Sequence, residues 1–360
     1  MERTPALRPT RIATVGLGFG AAVHVPAVLA LGDAEFVGLA GRSRDKAARQ
    51  LEELELDRAL AAASVDELLK RRPDIVTVAL PPDQNEAVVI RALQAGCAVL
   101  CEKPLAIDAA AAARMAAAAG DVPTAVDFQF AELAVFKQLT QLLADERFGA
   151  LRHVSVTWLV ESFAQKRRLW SWKSELSAGG GVMSLLGSHL LFLAEHLFGP
   201  VAEVSAVHSN AATKKFAPTP DRAAEDLVQL RLAHVSGVHL FATIGNACPG
   251  LHRHIWHVVG DRGSVVVDNE GSDYMRGFSL RGAGDMEGLS WTDRDQPAKL
   301  GEERLSAFLG LLERFVGHVR SRDGSRFVPD FRAGFRVQQL MDAAARSAAV
   351  GGGSMTCVGT

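Results

Sequence analysis

The sequence predicts an α/β protein of two domains: a doubly wound parallel sheet, followed by an α+β domain with a large, mainly antiparallel open sheet. Three observations support this class. The chain has 360 residues, enough for about two hydrophobic cores. Its first third alternates apolar strands with helical segments about five times, as parallel sheets do. Beyond Phe128, longer segments of period two favour antiparallel strands. We therefore expect one domain at 1–127 and another at 128–360.

The composition is that of a soluble globular protein, with 48% hydrophobic and 22% charged residues. The net charge of -2 and the lack of a basic run argue against a nucleic-acid partner. The four cysteines have spacings that fit neither a zinc site nor a disulfide framework, which is consistent with a reducing compartment. We therefore expect a cytoplasmic protein.

No membrane partner is predicted. The first residues, MERTPALRPTRIATVG, lack the apolar segment of a signal peptide. The most apolar later run, Val182 to Phe198, is interrupted by Ser188, His189 and Glu195, so we do not expect it to span a bilayer.

An apolar strand from Arg11 runs directly into glycines and then into a helical pattern, RIATVGLGFGAAVHVP. Gly16 permits the tight turn, and Gly18 lets the backbone approach a pyrophosphate. Ala21 takes the third position, where the helix packs closely on the strand. The turn, with Phe19 and Gly20, is therefore predicted to bind a dinucleotide in a Rossmann domain, although such a turn can also be merely tight.

The end of the second strand indicates which dinucleotide is bound. The strand Glu35 to Ala40 is followed by GRSR, where an NAD enzyme would place a carboxylate on the ribose hydroxyls. Arg42, Ser43 and Arg44 instead offer guanidinium groups and a hydroxyl to a 2′-phosphate. NADP is therefore the predicted cofactor and NAD the second choice. The alternative is two arginines on the exposed first turn of a helix.

The next segments continue the alternation. Ser64 and Glu67 predict a capping box, and a strand runs from Asp74 to Leu80. Asp83 and Glu86 can cap the helix that follows. Three residues at or after the end of this strand are predicted to contact the cofactor at the sheet edge: Leu80, Pro81 and Asn85.

The stretch AVLCEKPL places Glu102 and Lys103 immediately after a short apolar strand that Pro104 ends. Lys103 is therefore held at the carboxyl edge of the sheet, beside the ligand crevice, where partial desolvation suits a proton donor. Both residues are also predicted to contact the cofactor. The alternative is a solvated surface pair of Lys103 with Glu102.

The second half has six predicted strands: Leu151 to Val160, Ala202 to His208, Leu227 to Leu232, Val238 to Ile244, Ile255 to Val259 and Ser264 to Asp268. One sheet face should carry helices. If the other face is broad and apolar, a second subunit should cover it, so we expect a homodimer or homotetramer built on this sheet. The tail predicts a terminal helix after Pro329, stopped by the glycines at 351–353.

The stretch WKSELSAGGGVMSLLGSHLLFLAEHLFG is the most informative of the second half. The three glycines at 179–181 bring backbone close to another group, and the helix after them carries His189. A histidine near a cleft can move a hydroxyl proton, although a buried core histidine is the commoner case. Residues around it are candidate substrate contacts: Trp170, Trp172, Lys173 and Ser188.

The glycine turn, the EKPL segment and the triple glycine with a downstream G-x-H resemble the glucose-fructose oxidoreductase, inositol dehydrogenase and rhizopine-catabolism (Gfo/Idh/MocA) family. The resemblance runs from about Arg11 through the terminal helix. It implies hydride exchange between C4 of a nicotinamide and a sugar, cyclitol or sugar nucleotide. It also implies that Lys103 and His189 are the catalytic residues.

Three positions depart from the family pattern. Leu185 stands where the family usually has an aspartate four residues before the histidine, Asn85 where it often has a histidine, and Phe192 where it often has an aspartate. A histidine without its carboxylate loses orientation and basicity. Ser184 or Ser188 could partly replace that carboxylate as hydrogen-bonding neighbours.

Other chemistries were weighed against the residues. Short-chain dehydrogenases use a tyrosine four residues before a lysine, and Phe278 stands four residues after the only tyrosine, Tyr274. The HRHIWH segment at 252–257 lacks a nearby carboxylate or cysteine and predicts a strand with outward histidines, so no metal is expected. Glu225 and Asp226 face opposite ways on a strand and cannot bracket one glycosidic bond. Two alternatives stay open: a cofactor-binding regulatory protein without turnover, and a glycosidase using tightly held NAD.

Overall fold

The computed structural model describes residues 8–293, 304–321 and 324–357. It divides into two compact units. Among the described residues, the first unit comprises 8–105, 110–127, 304–321 and 324–334, and the second comprises 106–109, 128–293 and 335–357. The predicted division after residue 127 recurs here, but residues 304–334, predicted to lie in the second domain, belong to the first unit.

The helices of the described residues are α1 (Val25–Ala30), α2 (Arg44–Glu53), α3 (Val65–Leu69), α4 (Pro82–Gln94), α5 (Ala109–Ala119), α6 (Ala134–Leu142), α7 (Phe163–Arg167), α8 (Ser188–Phe198), α9 (Leu305–Ser321) and α10 (Phe331–Ala349). Two π-helical turns, Gly20–His24 and Met183–Gly187, lead directly into α1 and α8.

The sheet of the first unit has six strands: β1 (Thr10–Val15), β2 (Ala34–Ala40), β3 (Ala61–Ala62), β4 (Ile75–Val78), β5 (Ala98–Cys101) and β6 (Thr124–Val126). Their order is β3-β2-β1-β4-β5-β6 and every pair is parallel. The chain therefore reverses direction across the sheet between β1 and β4. The doubly wound parallel sheet predicted from the sequence is confirmed.

The sheet is buried on both faces, which explains why its strands are almost continuously apolar. On one face Ile12, Val23 and Ala27 pack with Leu311 and Phe315 of α9. On the other, a smaller cluster packs helix α2 on β2, formed by Leu39, Ala47, Ala48, Leu51 and Ala61. Helix α9 belongs to the first unit because its apolar stripe completes this core.

The predicted helix caps are partly confirmed. The Ser64 hydroxyl accepts the amide hydrogen of Glu67 at 3.3 Å, as in a capping box, but the Glu67 carboxylate accepts from the backbone of Ala63 instead of Ser64. The caps expected on α4 are wrong. That helix begins at Pro82 without a side-chain cap. Proline has no backbone N–H, so the first turn has one fewer amide hydrogen that needs an acceptor. The Glu86 carboxylate accepts a hydrogen bond from Arg114 instead.

The sheet of the second unit has nine strands: β7 (Leu151–Glu161), β8 (Val201–Ser209), β9 (Leu227–His234), β10 (His239–Gly245), β11 (Ala247–Gly260), β12 (Gly263–Asn269), β13 (Ser279–Gly284), β14 (Ser290–Thr292) and β15 (Met355–Thr356). Their order is β14-β13-β12-β11-β7-β10-β9-β8-β15, with β7 and β10 parallel and the other pairs antiparallel. All six predicted strands are present. Strands β13 to β15 were not predicted, because they are short or glycine-rich.

The outer face of this sheet is mixed in character. Phe241 is 46% exposed and Val207 44%, while their neighbours on the same face include His153, Arg231 and Thr243. The face therefore combines exposed apolar side chains with polar and charged ones. The predicted terminal helix is confirmed as α10, and Gly351 and Gly352 follow it with positive φ angles.

The helical stretch Leu176–Phe198 is long and apolar enough to cross a membrane by length and composition, and 67% of its most apolar window is buried. Leu190, Leu191 and Leu193 in α8 are fully buried within the protein. Their place in the core explains why the stretch is so apolar.

Candidate active site

The glycine turn after β1 has the geometry that a dinucleotide phosphate needs. Gly16 has a φ of 131°, and a Cβ there would collide with the carbonyl oxygen of Ala79. Its N–H donates to the carbonyl of Ala40 at 2.9 Å. Gly18, by contrast, is exposed and has open space where a Cβ would stand. That space fits a pyrophosphate lying against the backbone, so the turn suits the predicted cofactor.

The other predicted turn residues serve packing. A Cβ on Gly20 would lie 3.1 Å from the methyl group of Thr14, and Ala21 is buried against the core beside α2. The ring of Phe19 contacts Phe308 edge-on and lies under the guanidinium of Arg304 at 4.6 Å. The Phe19 side chain therefore packs against other residues of the protein. Its backbone is the part that is available to contact a cofactor.

In the segment after β2, two of the three predicted 2′-phosphate ligands already bind neighbouring groups of the protein. Ser43 caps α2, its hydroxyl accepting the N–H of Lys46 at 3.2 Å, and Arg44 forms an ion pair with Glu67. Arg42 is exposed and makes no ion pair within 8–293 or the other described ranges. Of the predicted 2′-phosphate ligands, Arg42 is therefore the one whose charge is not already used by a neighbouring side chain.

Asn85, predicted to contact the cofactor, is fully buried on α4. Its amide nitrogen donates to the carbonyl of Leu105 at 3.1 Å and to that of Pro104 at 3.4 Å. It therefore ties α4 to the turn that follows Lys103. Leu80 and Pro81 remain half-buried at the end of β4.

Lys103 lies just beyond the end of β5 and is half-buried. The Glu102 carboxylate lies 3.2 Å from Nε2 of His24 and its side chain is 13% exposed, so Glu102 is not a solvated surface group. The glycine turn after β1, the end of β4 and Lys103 all lie at the carboxyl edge of one parallel sheet. In open α/β sheets this edge, at the point where strand order reverses, is where ligands bind.

Sequence reasoning missed two residues at this edge. His24, Glu102 and Asp127 place one nitrogen and two carboxylate oxygens within 4.8 Å of one another. His24 and Asp127 are fully buried. The positions themselves carried a signal: His24 is on the first helix after the glycine turn, and Asp127 follows the last strand. We call this group the His24 cluster.

In the second unit, His189 lies on α8 and is 3% exposed. Its ring centroid is 4.7 Å from that of Phe130 and 6.2 Å from that of Phe128. Leu185 precedes it by about one turn. Phe192, at another departure from the family pattern, stacks on Phe128 with centroids 4.5 Å apart. Aromatic packing thus surrounds the predicted catalytic histidine.

The two serines proposed to replace the missing aspartate donate their hydroxyl hydrogens to backbone carbonyls. Ser184 donates its hydroxyl hydrogen to the carbonyl of Gly179, and Ser188 donates to the carbonyl of Ser184 at 2.8 Å. Ser188 is fully buried, so its predicted contact with substrate is also not favoured. Serine hydroxyls in helices commonly donate to a backbone carbonyl of the preceding turn, and both serines do so here.

The triple glycine makes room for a carboxylate of the same chain. Gly181 has a φ of 108°, and a Cβ there would collide with the carboxylate of Glu225. That carboxylate accepts the N–H of Met183 at 3.0 Å. Desolvation raises the pKa of Glu225 to about 7. Asp226 faces the other way and accepts from the backbone of Thr213, so the two acids do not form a pair, as predicted.

The segment before the glycines is clamped to its neighbours. The guanidinium of Arg222 lies 5.7 Å from the ring of Trp170 and donates to Glu175 at 2.8 Å. Trp172 is half-buried and Lys173 is exposed. Of the predicted substrate contacts, Trp170 is therefore already packed by a cation, while Lys173 is exposed.

The prediction of outward histidines in HRHIWH is wrong for His254. This residue is 2% exposed, stacks on Trp158 with centroids 3.9 Å apart, and accepts a hydrogen bond from the indole N–H of Trp256 at 2.8 Å. Burial lowers its pKa to about 3. Alternation along β11 turns it inward while His257 stays exposed.

Two family models match most of the chain. Residues 10–128 match the model described as an oxidoreductase family with an NAD-binding Rossmann fold, and residues 136–266 match the GFO/IDH/MocA C-terminal domain. The chain belongs to the GFO/IDH/MocA oxidoreductase family. The resemblance and the fold class inferred from the sequence are thereby confirmed.

Members of this family with curated descriptions resemble the chain over most of its length. An uncharacterized oxidoreductase of Synechocystis is 28% identical over 356 residues, covering 95% of this chain and 94% of its own. A D-apiose dehydrogenase of Paraburkholderia graminis is 30% identical over 243 residues, covering 65% of this chain and 60% of its own.

Solved structures of GFO/IDH/MocA type share the fold. A levoglucosan dehydrogenase in complex with NADH has a TM-score of 0.82 at 19% identity, covering 98% of this chain and all of its own. An inositol dehydrogenase homologue from Azotobacter vinelandii in complex with NAD+ has a TM-score of 0.79 at 19% identity, covering 97% of each chain.

Proposed function

We propose that this family member transfers a hydride between a nicotinamide dinucleotide and a carbinol or carbonyl carbon of a sugar, cyclitol or sugar nucleotide. One observation carries the proposal: the open Cα of Gly18 and the half-buried Lys103 lie at the same carboxyl edge of one parallel sheet. A phosphate-binding turn and a fixed cationic proton donor are two of the elements such a reaction needs. The sugar and cyclitol dehydrogenases among the similar proteins support this substrate class.

The nicotinamide supplies the hydride chemistry when it is bound. The residues of this chain then bind and move protons. In the direction of reduction, the Lys103 ammonium donates to the carbonyl oxygen, which develops negative charge as the carbon is reduced. In the direction of oxidation, the neutral amine of Lys103 accepts the hydroxyl proton. Asn85 keeps the turn after Lys103 in place through the carbonyls of Pro104 and Leu105.

NADP is the proposed cofactor. The support is the absence of a carboxylate at the end of β2 together with the exposed guanidinium of Arg42. Neighbouring structures hold NAD+ or NADH, so the proposal is specific to this chain's own residues. Ser43 and Arg44 contribute less than the sequence suggested, since they already cap α2 and pair with Glu67.

His189 is proposed as the second proton-carrying group of the reaction. Support comes from its place on a glycine-preceded helix and from the family resemblance of the G-x-H motif. Leu185 stands where the family usually has an aspartate, four residues before His189. This is the observation that favours the second candidate function, a cofactor-binding regulatory protein without turnover.

The experiment is a turnover assay on purified protein with NADPH or NADH and a panel of keto-sugars and keto-cyclitols. Loss of the reduced nicotinamide absorbance marks a reductase. Ligand-dependent stabilisation without any turnover marks the regulatory protein. Release of an aglycone from glycosides without net change in the nicotinamide marks the redox glycosidase.

We also propose that a second copy of the chain covers the outer face of the nine-stranded sheet, around Phe241 and Val207, and that the protein acts in the cytoplasm. Burying two large exposed apolar side chains at a symmetric interface supports the first point. Light scattering with size exclusion tests it, with Phe241→Glu expected to give a monomer.

A further inference from the structure

The carboxyl edge of the first unit holds an ionisable group that the hydride-transfer reaction does not by itself explain. The His24 cluster combines an imidazole and two carboxyl groups from three separate elements. His24 ends the first helical turn, Glu102 follows β5, and Asp127 follows β6. Glu102 is also the residue immediately before Lys103, the proposed proton donor.

Carboxyl oxygens of Glu102 and Asp127 lie within 4.8 Å of each other, and Asp127 is fully buried. Two buried carboxyl groups this close repel each other when both are ionised, so one of them holds a proton that it can donate to the other. Asp127 is fully buried, whereas the Glu102 side chain is 13% exposed. The more buried group loses more hydration on ionising, so the proton belongs on Asp127.

His24 is the second donor. Its Nδ1 is buried and has no hydrogen-bond partner among the described residues, and its ring stacks on Phe308 with centroids 4.0 Å apart. A hydrogen on Nδ1 would have no acceptor in this apolar setting, which favours the tautomer with its hydrogen on Nε2. The hydrogen then sits on Nε2 and is donated to Glu102, 3.2 Å away.

We propose that His24 and protonated Asp127 both donate to Glu102, so that Glu102 carries the single negative charge of the cluster and sets the protonation of Lys103. His24 and Asp127 are thus positioning residues for the proton donor. This inference rests on the proposed function only for the role of Lys103 in turnover.

The pKa of Glu102 agrees with this arrangement. Burial alone would raise it, but the hydrogen bonds from His24 and Asp127, with the Coulombic attraction of His24 and Lys103, leave the pKa of Glu102 below its ordinary value. Two further ionisable groups, Cys101 and Arg304, lie near the cluster or near Phe19 beside it. Burial raises the pKa of the Cys101 thiol, so it stays neutral, and Arg304 at the start of α9 lies over the ring of Phe19.

The test measures the pKa of Lys103 in the full-length protein. The lysines, nine in the chain, are ¹³C-methylated reductively, Lys103 is assigned with Lys103→Arg, and its signal is followed by NMR against pH. His24→Phe and Asp127→Leu remove one donor each, so Glu102 takes up a proton and the pKa of Lys103 falls by about 1 unit. Asp127→Asn keeps a donor, and the pKa of Lys103 stays unchanged.

Two results would overturn the proposal. If Asp127→Asn lowers the pKa of Lys103 as much as Asp127→Leu, Asp127 is an anion in the native protein. If Zn²⁺ added after chelator treatment binds at one equivalent per chain and His24→Phe abolishes that binding, the cluster is a metal site instead. Thermal unfolding of each variant identifies any that fail to fold, and Asp127→Asn carries the test in that case.

The titration uses no substrate, so it remains interpretable if the proposed oxidoreductase activity is not found. Where turnover is found, the high-pH limb of kcat/KM for carbonyl reduction should move to lower pH in His24→Phe and remain in place in Asp127→Asn. An unmoved limb in His24→Phe would also contradict the proposal.

Discussion

The carboxylate of Glu225 occupies the space in which a side chain on Gly181 would lie. The glycine run that looked in the sequence like an approach to a ligand is therefore, at this position, an approach to the protein's own acid. That carboxylate accepts the Met183 N–H at the start of the helical segment leading to His189. The contact therefore joins the segment just before β9 to the helical segment that carries the predicted catalytic histidine.

Replacing Gly181 by alanine should destabilise the protein by ~3 kcal/mol, because it adds both backbone strain and a collision with Glu225. Gly120→Ala is the matched control, since Gly120 also has a positive φ, of 50°, but open space around it. It should cost only about 1 kcal/mol. Denaturant unfolding measures both. Equal effects would mean that Glu225 plays no part, and Glu225→Ala should relieve much of the cost in the double variant.

Stability should depend on pH through Glu225. Its folded pKa of about 7 lies above the value in the unfolded chain, so the folded state holds the proton more tightly. The stabilisation is fully present below about pH 4.5 and is lost as pH rises through 7, by about 1–3 kcal/mol. Glu225→Gln keeps the hydrogen-bond acceptor but cannot ionise. Melting temperatures should match wild type at pH 5 and exceed it at pH 8; a constant difference across this range would exclude the assignment.

The glycine turn offers a paired test of fold and cofactor. Gly16→Ala should destabilise the protein by ~3 kcal/mol through its positive φ and the collision with Ala79. Gly18→Ala meets nothing and should leave stability within about 0.5 kcal/mol. It should nevertheless weaken dinucleotide binding about tenfold, since the methyl group fills the phosphate space. Calorimetric titration that shows unchanged affinity in Gly18→Ala would remove the turn from the cofactor site.

Cofactor choice should depend on Arg42. Arg42→Ala should lower kcat/KM for NADPH about 10- to 100-fold, the value of a charged hydrogen bond, and change that for NADH less than about twofold. Arg49→Ala on helix α2, which follows Arg42, is the control, because Arg49 is also exposed and makes no ion pair among the described residues. Better use of NADH than NADPH by the wild type would contradict the proposed preference outright.

Much of the fold could be predicted because local patterns determine it. Short apolar runs with glycine stops gave the strands of the parallel sheet, and period-two segments gave the long strands of the second sheet. The return of α9 to the first unit could not be predicted, since an amphipathic stripe does not specify which core it completes. The same holds for His254, whose direction depends on the register of β11.

Candidate site residues could be identified from the sequence where a single residue acts through its own backbone or charge. Gly16 and Lys103 were identified because each follows an apolar strand. His24 and Asp127 act through side-chain contacts between elements that are far apart in sequence, so their positions after the glycine turn and after the last strand do not by themselves show that they form a cluster. The role of Glu225 could not be predicted either, because its contact with Gly181 joins two segments that are far apart in sequence.

The central claim is that Lys103 delivers the proton in a nicotinamide-dependent reduction or oxidation. The direct measurement compares Lys103→Ala with wild type for turnover of a keto-sugar panel and, separately, for cofactor affinity by calorimetry. We predict that wild type oxidises the reduced nicotinamide with at least one compound and that the variant loses about a thousandfold or more in kcat, within the range for general acid catalysis. Cofactor affinity should stay within about threefold of wild type. Turnover preserved in Lys103→Ala would contradict the account.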